Sequence, residues 1–235
     1  AVQPAAKQGA LNGLNRALLI VLYLTLAVGC GTRDPVVEMQ ESLASAPDYT
    51  IVLEDMQDEG LVFTNYYHRY RVIQGERQVQ TDWVEVEEEV YRKYEPFLGM
   101  ALVSKSEVDG VNSNPHPPGY HHVGNSTYGY WGGGGFWMWY GQYAMMRNLL
   151  GGGFGRGISR GDYDDYRNVN RRGRPYYGNG DYGTNGKLTK QTRPTFYQRR
   201  QAKMKQRQSS FSQKAQSRLG RTRTGFGGRS RGFGK

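Results

Sequence analysis

The chain has 235 residues, 37% of them hydrophobic, which suffices for one modest core and excludes a large multidomain enzyme. Its formal charge is +10, and its single cysteine excludes both a disulfide framework and a cysteine-rich zinc module. The charge is segregated: residues 31–150 hold 8 basic and 17 acidic side chains, residues 151–235 hold 21 and 4, so an acidic body with a basic tail is expected.

Ala17 to Val28 (ALLIVLYLTLAV) carries no charge, follows Lys7 and Arg16, and ends at Gly29-Cys30-Gly31. As a helix it would reach ~18 Å, well short of the ~30 Å hydrocarbon core of a bilayer. A positive flank, a short apolar run and small residues at its end are the parts of a secretory signal peptide, here residues 1–29. The end, Ala27-Val28-Gly29-Cys30, resembles the lipobox of bacterial lipoproteins, with Ala27 where leucine is favoured. That resemblance implies that Cys30 becomes the mature N-terminus and carries lipid, of the palmitate kind. It implies a location outside the cytoplasm in the bacterial cell envelope, and Gly31 points to the outer membrane where the host has one.

Residues 30–47 are polar and hold two prolines, which reads as a tether. Residues 48–110 read as a small α+β domain, a sheet with one packed helix. Tyr49–Leu53, Leu61–Thr64 and Tyr66–Ile73 are β-rich. Thr81–Phe97 changes period, with Trp83, Val86, Val90 and Tyr94 at helical steps, and Met100–Ser104 supplies a last strand. Glu85, Glu88 and Glu89 would share a helix face and are read as a solvated acidic surface.

In the segment 111–150, His116, His121 and His122 lie within seven residues. Imidazoles at such spacing suit zinc, copper or nickel, but a structural site wants a fourth ligand and no cysteine is near. The stretch is therefore read as a stiff aromatic loop draped over the body. Phe136–Leu150 is read as an aromatic helix that packs on the sheet, with a helix lying among lipid headgroups as the alternative, and at ~22 Å it does not span a bilayer. No nucleophile stands in a catalytic context, and no phosphate loop or dinucleotide fingerprint occurs, so no catalytic residue, metal or cofactor is assigned.

Residues 151–235 offer few aliphatic side chains and read as a long, disordered, Gly/Arg-rich tail. Within it Arg199, Arg200, Lys203, Lys205 and Arg207 are the candidate polyanion contacts. Arginine interleaved with Gly-Phe-Gly at Phe226 and Phe233 resembles the RG-rich tails of RNA-binding proteins. Outside the cytoplasm the available polyanions are anionic lipid, polysaccharide and cell-wall polymer. Taken with Pro117-Pro118-Gly119-Tyr120 and the Trp139–Tyr143 stretch, the chain is similar to glycine-rich bacterial lipoproteins, a resemblance that brings no activity with it. Three functions are expected in this order: a non-enzymatic envelope lipoprotein with a cationic tail, an RNA- or DNA-binding protein with a membrane anchor, and a metal-binding envelope protein using the histidine loop.

Overall fold

Tyr49, Thr50, Ile51, Val52 and Leu53 are all buried, so the strand they open, β1 (Tyr49–Glu59), is covered on both faces and paired on both edges. The protein is an α+β fold, seen in a computed structural model that describes residues 33–60, 63–146 and 157–221. It divides into two units, residues 1–192 and 193–235.

In the first unit β1 pairs antiparallel with β2 (Asn65–Gln74) on one edge and with β5 (Ala101–Ser106) on the other. β3 (Arg77–Gln80) and β4 (Val84–Val86) follow each other along the outer edge of β2, and β6 (Gly110–Asn112) lines the outer edge of β5. The register places Ile51 opposite Val72, Leu53 opposite Tyr70 and Met56 opposite His68, so these side chains share one face. Thr50 stands between Ile73 and Ser104 on the other.

Two short helices cover the first face. α1 (Pro35–Ser42) buries Val36 and Met39, and α2 (Glu88–Tyr94) buries Tyr94. Asp34 caps α1, its Oδ1 accepting from the Val36 amide at 3.0 Å. Its Oδ2 accepts from the Tyr94 hydroxyl and the Lys93 ammonium, each at 2.7 Å, which ties the start of α1 to the end of α2. Eight residues of the expected tether 30–47 are therefore helix held to the body. The expected helix 81–97 is also shorter. Val84–Val86 pairs with Tyr66–His68 as β4, because a Val-Glu-Val triplet suits the open edge of β2. Trp83, just before it, stacks under the Arg69 guanidinium at 4.8 Å. Of the expected strand Leu61–Thr64, Leu61 and Val62 lie outside the described residues, and Phe63 and Thr64 precede β2.

The second face of the sheet lies under an aromatic layer. Gly129–Trp131 (β7) and Trp137–Trp139 (β8) form a hairpin, followed by a 3-10 turn at Gly141–Tyr143. Of the aromatic helix expected over 136–150, the described residues form β8 and this turn, with helix only at Met145 and Met146, and residues 147–150 lie outside the described residues. Four glycines at 132–135 let the chain reverse, and alternation buries Trp137 while exposing Met138. A Cβ on Gly129 would sit 2.1 Å from the Met138 carbonyl oxygen, so that strand pair needs a glycine there.

Residues 157–192, assigned to the tail by composition, also belong to this layer. α3 (Arg160–Asn170) starts at a capping box between Ser159 and Asp162, and α4 (Lys187–Thr192) closes the unit. Ile158, Tyr166, Tyr176 and Thr184 are buried, with Tyr120, Val123 and Trp137 among their neighbours in the layer. Composition misleads here because tyrosines, rather than aliphatic residues, supply the buried area, and Tyr166 also hydrogen-bonds at its hydroxyl end.

The second unit contributes α5 (Pro194–Arg221), a helix of 28 residues; residues 222–235 lie outside the described residues.

Candidate functional site

The three loop histidines are core residues. Gly119, at φ 88°, turns the chain into a 3-10 turn at Tyr120–His122 that packs against β5. His116 is wholly buried, bridging to Ala101 of β5, and His121 and His122 are nearly so.

Their proton positions follow from their partners. His116 Nδ1 lies 2.7 Å from the Asn114 carbonyl oxygen, which can only accept, so Nδ1 carries the hydrogen. Burial pushes the His116 pKa down to about 3, so the ring is neutral and its Nε2 accepts from the Ser104 hydroxyl at 3.1 Å. The Ser104 hydrogen is then committed, and its oxygen accepts from Thr50 at 3.2 Å. A proton-ordered chain runs from Thr50 through Ser104 and His116 to the backbone at Asn114.

His121 begins a second chain. Its Nε2 donates to the Gly110 carbonyl at 3.0 Å, while Nδ1 faces the Tyr166 hydroxyl at 3.5 Å. Tyr166 in turn accepts from Asn112 Nδ2 at 2.9 Å, which joins α3 to β6. His122 packs edge-on against Tyr128 at 4.6 Å and hydrogen-bonds the Lys105 backbone; burial pushes its pKa to about 3.

A serine donating to an imidazole whose other nitrogen is held by an acceptor has the order of a nucleophile, a base and its orienter. Thr50, Ser104 and His116 are all 0% exposed, so no substrate reaches the hydroxyl. The arrangement holds the sheet to its aromatic cover. Among the described residues no three His, Cys, Asp or Glu side chains are grouped to hold an ion.

The fourth histidine lies on the first face. His68 is 0% exposed, bonds the Tyr70 hydroxyl at 2.9 Å and stacks on Tyr91 at 5.3 Å. Burial lowers its pKa to about 4, opposed by the charge of Asp34. Sequence reading took His68 only as part of the β-rich stretch Tyr66–Ile73 and missed the roles of Thr50, Ser104, Asn112 and Tyr166 entirely. Their partners stand 12 to 54 residues away, at spacings that no local motif encodes.

Of the expected polyanion contacts, all five lie on α5. At 3.6 residues per turn, positions 199, 200, 203 and 207 fall within an arc of ~100°, and Lys205 falls on the opposite side. Cys30 lies outside the described residues. Among the described residues no helix is long and apolar enough to cross a membrane.

Compared with protein-family models, with curated proteins and with solved structures, the chain matches none. Its function is therefore argued from its own chemistry.

Proposed function

We propose that the chain is a non-enzymatic lipoprotein of the bacterial cell envelope, anchored through lipid on Cys30, whose cationic C-terminal unit contacts polyanionic envelope material. One observation carries the second half of this reading: residues 193–235 contain 13 Lys and Arg and no Asp or Glu. The first unit is acidic beyond residue 30, with 16 basic and 21 acidic side chains in residues 31–192, so every acidic side chain of the chain lies in the first unit. An acid-free cationic segment meets any dense polyanion, whether anionic lipid, polysaccharide or cell-wall polymer, through charge neutralisation rather than shape. The first half is supported by the Ala27-Val28-Gly29-Cys30 sequence after a short apolar run. Burial of Ser104, His116 and His122 supports a non-catalytic role, because the groups best suited to chemistry are spent on packing.

Metabolic labelling with a fatty-acid analogue tests the anchor. Wild-type chain takes up label and resists carbonate extraction, whereas Cys30→Ser accumulates as a heavier, unlabelled precursor. Equal mass and equal labelling of the two would overturn the lipoprotein reading.

A further inference from the structure

The sequence of α5 carries two parallel columns. Tyr197, Met204 and Phe211 recur every seven residues, and Arg200, Arg207, Lys214 and Arg221 recur every seven residues three positions later. Seven residues make two helical turns with a drift of ~20°, so each set runs nearly straight along the axis, and the columns lie ~60° apart. The helix is ~42 Å long, and Arg199 and Lys203 widen the cationic side. Much of the rest is glutamine and serine, including Gln198, Gln201, Gln208, Ser209, Ser212 and Gln216. Met204 is 56% exposed and Phe211 74% exposed, so the apolar column is open at these two positions, while Tyr197 at its start is half-buried beside Phe196.

A seven-residue apolar repeat ordinarily reads as a coiled-coil seam. Here the neighbouring seam position is Arg200, Arg207 and Lys214, so two copies of this chain would place like charges along the whole contact. A nucleic-acid duplex, its bases stacked on one another, would engage the cationic column through its phosphates and leave Met204 and Phe211 in water. An anionic bilayer surface satisfies both columns at once. Apolar side chains enter the boundary between headgroup and acyl chain, while the long basic side chains beside them reach back to the phosphates.

We infer that α5 is an interfacial helix that lies on an anionic phospholipid surface, with Met204 and Phe211 inserted and the basic column that contains Arg200 and Lys214 on the lipid phosphates. This rests on the envelope reading for its location and narrows the polyanion to one chemistry.

The test uses the full chain with vesicles of phosphatidylcholine alone or rich in phosphatidylglycerol, reading tryptic cleavage after Lys203 and Lys205 by mass spectrometry. Phosphatidylglycerol slows cleavage about tenfold or more, as expected for several phosphate contacts, and phosphatidylcholine does not. The double variant Met204→Ser, Phe211→Ser loses that protection; both side chains are exposed, so folding is not at stake. Wild-type protection persists in part at ~0.5 M salt, because the apolar column is not screened. Equal cleavage in both vesicles overturns the proposal. So does protection that survives the double variant and vanishes with salt, or stronger protection by duplex DNA than by phosphatidylglycerol. Flotation with phosphatidylcholine vesicles, in wild type and Cys30→Ser, reports the anchor separately, so each reading can fail without the other.

Discussion

At the scale of single residues, the first unit spends its histidines as neutral hydrogen-bonding core. His116 and His122 are held near pKa 3 and His68 near 4, each chiefly by loss of hydration. In the unfolded chain each titrates near 6.5. The unfolded state then binds more protons at any pH below that value, so these groups favour folding fully above ~6.5 and lose their contribution as pH falls toward 3–4. Each costs about 1.4 kcal/mol per pH unit inside that window, before compensation from other groups. Urea unfolding should therefore show a midpoint that is level above pH 7 and drops steeply between pH 6 and 4, the range set by these shifts. A midpoint flat across the range would mean that the imidazoles are not sealed from water. Ser104→Ala should steepen nothing in that profile, because the ring it removes a partner from is still buried. It should instead lower stability at every pH by about 1–3 kcal/mol, the cost of leaving His116 Nε2 unpaired.

At the scale of elements, the hairpin β7–β8 gives the sharpest contrast. Gly129→Ala places a methyl 2.1 Å from a backbone oxygen of the opposite strand and should cost about 1–3 kcal/mol or more. Gly133→Ala meets nothing within 4 Å and should be neutral or slightly stabilising, by up to about 1 kcal/mol. Thermal unfolding of the two variants side by side checks this; equal losses would mean that the strands are not paired as described. The strands β1, β2 and β5 were legible because alternation and β-branched content mark them locally. β4 was not, because Val86 also fits a helical step with Val90 and only the free edge of β2 decides in favour of strand. β8 was hidden for a different reason. A Phe-Trp-Met-Trp-Tyr run is apolar on both faces, so neither period stands out. The histidine loop was legible as a cluster, but its role was not, since Ser104, Gly110 and Asn112 come to it through sheet pairing.

At the scale of the whole molecule, the body runs to Thr192, and its last stretch, residues 157–192, is a strap rather than a tail. Leu98 donates to Thr184, Tyr176 donates to the Pro115 carbonyl, and Asn112 bonds Tyr166, all reaching back to the chain on either side of β5. A chain ended after Thr192 should keep a cooperative melt and near-ultraviolet signal, whereas one ended after Met146 should lose both, because Trp137, His121 and Tyr120 would then face water. Retention of a cooperative melt by the shorter chain would show that the strap is dispensable. The same strap sets a timetable. Synthesis proceeds from the N-terminus, so the last partners that reach back to the sheet, Tyr166 and Thr184, are made 54 and 86 residues after the positions they bond. Contacts of such long sequence separation form slowly, and the exposed sheet must wait for them. A newborn chain therefore stays open for most of its emergence, and the core closes only when nearly all of the first unit is available.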